Sequence, residues 1–450
     1  MAEEVGTLYK RLTQTQLIVV GYVLVILIGT VLLMLPVSSR SGSVTSFLDA
    51  LFTATSATCV TGLIVADTFQ HWSTFGQSVV LLLIQVGGLG FMTIGVFFAI
   101  FLRRRIGLKI RGILQESVNS LQIGGIVRLT KKIIVGTLIF EGAGAALLAI
   151  RFVPQFGLGT GLYYAVFHSV SAFCNGGFDL MGRKEAYSSL TAYYNDGLVN
   201  LTIMALIIIG GIGFFVWNDL WEHKWHWKKY RLHTKIVLSS TGILIVAGAV
   251  LFYIFEAGNV LKDMPVWDRI WCSLFNSVTA RTAGFNTTDT GALRESSQLL
   301  TILLMLIGGS PGSTAGGMKT TTLVVLILYV KMNLRQQAEC NIFGRRLGED
   351  AIRKASVVFC TNLFLVIAVT LAIAGLENLP MMEIMFEVSS AMGTAGMSTG
   401  ITRELGAISR ILLIFLMYCG RIGSLTFALS FRGHKYSPPV LSPTEQIIIG

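Results

Sequence analysis

One pattern recurs four times in this 450-residue chain: a short half-apolar segment, a single glycine, and a long apolar stretch carrying its own glycine cluster. The single glycines sit in Val60-Thr61-Gly62-Leu63, Asn175-Gly176-Gly177-Phe178, Thr282-Ala283-Gly284-Phe285 and Thr394-Ala395-Gly396-Met397. The clusters read Gly87-Gly88-Leu89-Gly90, Gly210-Gly211-Ile212-Gly213, Gly308-Gly309-Ser310-Pro311-Gly312 and Gly420-Arg421-Ile422-Gly423. Four like units in one polypeptide predict pseudo-fourfold symmetry, and a fourfold axis through a membrane protein is a natural place for a pore.

The membrane setting follows from composition. Hydrophobic residues make up 53% of the chain and charged ones 13%, about half the charged share of a soluble domain. Leu17 to Val37 runs 21 residues without a charge, enough to cross a hydrocarbon core of about 30 Å. Eight spans are predicted in four pairs, the first members near 15–37, 130–153, 234–256 and 354–376, the second near 77–102, 198–221, 298–331 and 409–431. The fold class is all-α integral membrane: four M1–pore-loop–M2 repeats around one pore, eight transmembrane helices. Repeats cover 15–105, 129–222, 233–335 and 351–433, between an N-terminus at 1–14 and a tail at 434–450. Of the 35 basic residues, 23 fall before, between and after these repeats, including Arg103 to Arg105, Lys228, Lys229, Arg345 and Arg346. That asymmetry puts both termini in the cytoplasm. The net charge of +11 therefore reads as topology, with no nucleic-acid partner implied.

Within each repeat, Phe47 to Ala57, Tyr163 to Ala172, Val266 to Ala280 and Met381 to Ala391 are too short to cross the bilayer and fit re-entrant half-helices. Phe52, Phe167, Phe275 and Phe386 recur nine or ten residues before the glycine. The second repeat offers both Gly176 and Gly177; Gly177 keeps the spacing of ten found in repeats one and four. Half-helices entering from outside aim carbonyl-rich ends at the axis, which favours a cation there. A glycine at that depth lets main-chain carbonyls turn inward and replace the water shell of a monovalent ion.

Repeat three has the most informative second span. Gly308-Gly309-Ser310-Pro311-Gly312-Ser313-Thr314-Ala315-Gly316-Gly317-Met318-Lys319-Thr320 interrupts two apolar halves. With about 1 kcal/mol lost per glycine and about 3 for proline, this stretch is expected to unwind and line a cavity. Lys319 ends it, and Arg421 lies midway along the last span. An intramembrane charge is a functional candidate by default. Arg421 is expected to point into the cavity, hold the loop closed and repel cations, while Lys319 either joins it or snorkels to the interface.

Other residues carry less. Asp49, Asp67, Asp179, Asp289 and Glu387 are placed near the outer mouth, where Asp67 and Asp289 either concentrate cations or are ordinary solvated loop carboxylates. The six cysteines show no ligand spacing, and Cys59 and Cys174 are read as reduced. His223-Lys224-Trp225-His226-Trp227 reads as an interfacial anchor. No G-x-x-x-x-G-K-[ST] loop is present, and no cluster of residues suggests an enzyme or an organic cofactor.

The four glycine units, the segment Thr279-Ala280-Arg281-Thr282-Ala283-Gly284-Phe285-Asn286, the interrupted third repeat and Gly420-Arg421-Ile422-Gly423 together resemble the Trk, Ktr and HKT cation transporters, most closely the Ktr-type potassium-uptake membrane subunits. The resemblance covers essentially the whole chain. It implies a selectivity filter for K+ built from Val60, Thr61, Gly62, Asn175, Gly176, Gly177, Thr282, Ala283, Gly284, Thr394, Ala395 and Gly396. Glycine at all four positions implies potassium, since serine at the first goes with sodium permeation in HKT relatives. The interrupted span, Gly308 to Gly317 with Lys319 and Arg421, becomes the gating loop. The resemblance further implies a homodimer in a bacterial plasma membrane, serving osmotic adaptation. Control would come from a cytosolic RCK-type ring binding ATP or ADP, docked on 103–128 and 331–354. Na+ permeation or coupling, or a secondary transporter with inverted repeats, is the alternative.

Overall fold

The structure, a computed structural model, describes residues 13–90 and 125–430, apart from 184, 225 and 338, with the isolated positions 93, 95, 112 and 115. The basic run from Arg103 to Arg111, most of the segment 103–128, Trp225 and both chain ends lie outside the described residues.

The described chain is almost entirely helical. Repeat one contributes α1 (Gln14–Met34), α2 (Phe47–Thr58), a short α3 (Thr68–His71) and α4 (Thr74–Leu89). Repeat two contributes α5 (Ile126–Phe156), α6 (Leu158–Phe173), α7 (Gly197–Gly211) and α8 (Phe214–His223). Repeat three contributes α9 (Leu232–Glu256), α10 (Val266–Thr279), α11 (Glu295–Ile307) and α12 (Thr320–Leu334). A two-residue hairpin, β1 (Asn341–Ile342) with β2 (Arg345–Arg346), leads to α13 (Glu349–Leu376), α14 (Met381–Gly393), α15 (Ala407–Ile422) and α16 (Ser424–Ser430).

Local chemistry sets several boundaries. Thr13 and Gln16 form a reciprocal capping box at the start of α1, supplying partners to two backbone donors that the first turn leaves free. Ser46, Ser73 and Asp196 cap α2, α4 and α7 in the same manner.

The first helix of each repeat is long and apolar enough to cross a membrane: α1, α5, α9 and α13. Their outer faces stay uncovered, with Ile28 61%, Ile150 63%, Ile243 66% and Phe364 70% exposed. Apolar faces this extensive suit lipid rather than water.

The second spans differ from expectation. Sequence analysis treated them as single long helices except in repeat three, yet a break follows the glycine cluster in every repeat. α7 and α8 bend by 95° across Ile212 and Gly213. The hinge residues are Gly90 (φ 82, ψ 130), Gly213 (φ 98, ψ 146) and Gly423 (φ 95, ψ 127). A positive φ with an extended ψ is close to glycine's private territory, so the breaks are written into these positions. Repeat three has its matching hinge at Lys319 (φ 82, ψ 134). The counterpart of the other clusters is thus Gly316-Gly317-Met318-Lys319, rather than Gly308-Gly309 as the sequence alone suggested.

Packing closes the repeats into a ring. α4 leans on α6, α7 on α10, α11 on α14, and α15 on α2. Each second span therefore supports the short helix of the next repeat, and the fourth supports that of the first. Phe52, Phe167, Phe275 and Phe386 are completely buried in this arrangement.

Candidate functional site

Each short helix ends in the same turn. Thr61, Gly176, Ala283 and Ala395, the residues just before the glycines, donate backbone N–H groups to Ser56, Ser171, Thr279 and Ser390 carbonyls at 2.8, 2.6, 2.9 and 2.8 Å. The side chains at those positions brace the turn as well: Ser56 Oγ accepts from Gly62 N (3.1 Å), while Ser171 and Thr279 hydroxyls donate to Phe178 and Phe285 carbonyls (2.7 Å each).

Two residues per turn have positive φ: Val60 (56°) and Gly62 (93°), Asn175 (59°) and Gly177 (67°), Thr282 (74°) and Gly284 (80°), Thr394 (50°) and Gly396 (79°). The glycines were foreseen, but their partners two residues earlier were not. Three of those partners are β-branched, for which this region is strained. Gly177, and not Gly176, has the positive φ.

The four glycines meet around one centre. A Cβ on Gly62 would lie 2.8 Å from Gly176 O, one on Gly177 would lie 2.9 Å from Ala283 O, and one on Gly284 would lie 3.0 Å from Ala395 O. A Cβ on Gly396 would overlap Thr61 O and sit 2.9 Å from Gly62 Cα, so the cycle closes. No side chain larger than hydrogen fits without displacing a neighbour's main chain. The carbonyls of Thr61, Gly176, Ala283 and Ala395, from equivalent positions, each lie against the glycine of a neighbouring repeat. Such a collar of uncharged oxygens can replace water around a monovalent cation.

The glycine clusters serve close approach. A Cβ on Gly87, Gly210 or Gly420 would collide with the carbonyl of Thr58, Phe173 or Met392, each four residues before its repeat's glycine. The second span thereby presses directly on the end of its short helix.

Against this collar packs the segment 308–319. Ser310 N donates to Gly211 O (3.0 Å), Phe214 N to Gly312 O (2.7 Å), and Thr320 N to Gly309 O (2.9 Å). Ser313 Oγ donates to Ser310 O (2.6 Å), while Pro311 O lies against Gly213. The bend between α7 and α8 thus receives the loop of repeat three. Thr314 is its most connected residue. Its Oγ1 donates to Phe173 O (3.0 Å) and accepts from Asn175 Nδ2 (3.3 Å), and its N–H donates to Gly210 O (3.3 Å). Gly316 and Gly317 lie against Thr394 and Gly393, and Ala315 N donates to Ser313 Oγ.

Arg421 and Lys319 both face loop carbonyls. Arg421 donates through Nη1 to Thr314 O and through Nη2 to Gly87 O and Gly88 O, the latter at 2.9 Å. Both carbonyls lie at the end of α4, where a helix carries partial negative charge, and Gly87 O also accepts from Gly90 N (3.2 Å). Lys319 turns its Nζ back to Ala315 O (2.7 Å) and Gly316 O (3.2 Å) instead of reaching for an interface.

The acidic residues are engaged with main-chain donors, hydroxyls or an arginine. Asp67 is buried and accepts from Phe69, Gln70 and Tyr187 N–H groups at 2.9, 2.8 and 2.8 Å, so it clamps loops of two repeats. Glu387 is buried and accepts from Ser398 and Thr402 hydroxyls and Thr399 N. Asp49 pairs with Arg410 at 2.9 Å, Asp179 accepts from Met181 N, and Asp289 from Gly291 N. Asp67 and Glu387 thus tie loops together, while Asp289 stays exposed. Asp219, Glu222 and His223 hold ligand-type atoms within 4.8 Å of one another. Asp219 already accepts from His223 (3.0 Å) and Arg231 N (2.9 Å) there. All six cysteines are free thiols.

Sequence reasoning passed over Glu141. It is buried in α5 beside Gln85 and Cys174. A glutamate within a predicted span was the signal that could have found it.

The chain is similar to known cation transport proteins. A family model described as TrkH, cation transport protein, matches residues 7–438. The Ktr system potassium uptake protein B of Bacillus subtilis is 43% identical over 431 residues, covering 95% of either chain. The potassium/sodium uptake protein NtpJ of Enterococcus hirae is 39% identical over 448 residues, covering 98% of either chain. The crystal structure of the potassium transporter TrkH from Vibrio parahaemolyticus shares the fold, with a TM-score of 0.69 at 19% identity over 92% of this chain and 84% of that one.

Proposed function

The chain belongs to the TrkH family of cation transport proteins, and on that premise we propose that it takes up potassium through the carbonyl collar around Gly62, Gly177, Gly284 and Gly396. As a family member it is a multi-pass plasma-membrane transporter and not an enzyme. The observation that carries the potassium reading is the closed cycle in which each glycine abuts the carbonyl of the next repeat. Main-chain oxygens of Val60, Thr61 and Gly62 and their counterparts in the other repeats coordinate the dehydrated ion, which here is cargo.

The segment 308–319 is the gate of this pathway, packed beneath the collar, with Arg421 as its latch. Removing the latch takes one tie from Thr314 and a positive charge from the route of a cation. The four pairs of spans cross the membrane eight times and leave both termini in the cytoplasm, as the distribution of Lys and Arg favours. The membrane unit is a homodimer controlled by a cytosolic RCK-type ring that binds ATP or ADP. The hairpin Asn341–Arg346, with Arg345 and Arg346 exposed, forms part of its docking surface. NtpJ is named for potassium and sodium together, which supports sodium as a second cargo or coupling ion.

Rubidium flux into vesicles containing the purified chain tests the reading. Uptake that needs no sodium or proton gradient, and that potassium competes away better than sodium, is expected. Uptake that requires either gradient would replace the channel-like path by a coupled carrier. Copurification with a nucleotide-binding cytosolic ring tests the partner.

A further inference from the structure

Two of the contacts that fix Thr314, those to Asn175 and Arg421, lead back to one buried carboxyl. Glu141 Oε2 accepts from Gln85 Nε2 (3.2 Å), and Oε1 accepts from the Cys174 thiol (3.7 Å). Cys174 precedes Asn175, whose amide holds Thr314 Oγ1. Gln85 lies on α4 just before Gly87 and Gly88, whose carbonyls hold the Arg421 that in turn holds Thr314 O. Cys174 Sγ also packs on Gly88 itself, within 2.7 Å of where its Cβ would stand. One acidic group therefore touches the repeat-two turn and the helix end of repeat one at once.

We propose that Glu141 is a proton-binding site inside the membrane whose ionisation sets how firmly the loop 308–319 is held. This rests on the reading of that loop as the gate.

The chemistry of the cluster selects a proton over a metal cation. Around the carboxylate stand an amide N–H and a thiol S–H, with the Gln85 amide as the other oxygen that the cluster offers; sodium or potassium needs a fuller shell of oxygens. Among the described residues no cation touches Glu141. α6 presents the Cys174 thiol, α4 presents Gln85 and no titratable group, α7 presents Leu206 and none, and Arg421 reaches the cluster only through the Gly88 carbonyl. A charge so placed is expensive in the membrane, so taking up a proton is the direct way to discharge it.

The ionised form accepts both donors and sets a negative charge behind the helix end that Arg421 occupies, which tightens the latch. In the protonated form an O–H bond replaces that charge. Its acceptor in the cluster is Gln85 Oε1, which the Cys174 thiol also approaches at 3.6 Å, so the Gln85 amide turns over and stops donating. The latch loosens, and flux rises as pH falls.

Rubidium flux through the full chain in vesicles, measured between about pH 6 and about pH 8, tests this. The wild type is expected to rise by roughly threefold or more toward the acidic end. Glu141→Gln, which keeps shape but cannot ionise, is expected to show high flux and a flat profile; Glu141→Asp is expected to keep a pH response. Gln85→Leu, which removes a donor to the ionised form, is expected to move the response to higher pH, and it provides the test should Glu141→Gln fail to fold. A wild-type profile in Glu141→Gln, or an unmoved one in Gln85→Leu, overturns the proton site. If Arg421→Ala raises flux while both those profiles match the wild type, the gate stands and only the proton site falls. If Arg421→Ala leaves flux unchanged, the gate reading fails and takes the proton site with it.

Discussion

The guanidinium of Arg421 and the carbonyl oxygen of Thr314, 107 residues apart in sequence, are joined by a hydrogen bond that ties the last repeat to the loop of the third. Through its other nitrogen, Arg421 reaches the end of α4 in the first repeat. A single side chain thus bridges three repeats around the collar.

Arg421→Ala should therefore raise rubidium flux at equal protein amount. A hydrogen bond to a charged group is worth about 1.5–3 kcal/mol, and a shift of about 1.4 kcal/mol in the loop's equilibrium is tenfold. An increase on the order of tenfold is expected. Arg421→Lys, with a point charge in place of the fork, should fall between the two.

The collar predicts a sharp difference between adjacent glycines. Gly177 has φ +67, and a Cβ there faces Ala283 O and Gly284 Cα, all main chain. At Gly176 the nearest neighbour is the Ile84 side chain, which can move. Gly177→Ala should abolish uptake, and Gly176→Ala should retain a measurable part of it. Gly62→Ser, at φ +93 and 2.8 Å from Gly176 O, should narrow the preference for potassium over sodium in competition assays.

Asp67 should matter to stability more than to ion affinity. Its three N–H contacts span repeats one and two. Asp67→Ala should lower the thermal midpoint, in keeping with a loss of about 1–3 kcal/mol for a buried multiple cap. The potassium concentration giving half-maximal flux should hardly move.

Glu377 gives a pH dependence of stability. The Ser409 hydroxyl, and then the Gly406 N–H, hold its carboxyl below the usual carboxylate range. A depressed folded-state value means that the stabilising effect is complete above the unfolded value of about 4.3. It disappears as pH falls through the lower, folded value. Glu377→Gln should unfold at a lower temperature than the wild type near neutral pH, and the gap should close on acidification below about pH 4.

The repeat pattern was readable because it is local. Phe52 and its three counterparts stand at nearly constant distance from their glycines, and all four prove fully buried. The first spans were readable because twenty apolar residues have few alternatives. What escaped the sequence depends on partners far along the chain. Gly87 and Gly210 are small because Thr58 O and Phe173 O press on them, and nothing nearby in sequence says so. Asp67 looked like a free surface acid because Tyr187 N, one of its three donors, lies 120 residues away. The alignment of Gly308-Gly309 with the other clusters failed for a related reason. Spacing favoured it, while the backbone angles pair Lys319 with Gly90, Gly213 and Gly423.

Lys319 occupies a bend that its three sibling positions entrust to glycine. A side chain in that region costs about 1–3 kcal/mol, so the loop's own backbone pulls against the shape in which it is found. Its neighbours, chiefly Thr314, Arg421 and the Lys319 ammonium itself, must supply the restraint. The segment is accordingly cocked: a modest tug at any one of those ties would let stored tension do the rest.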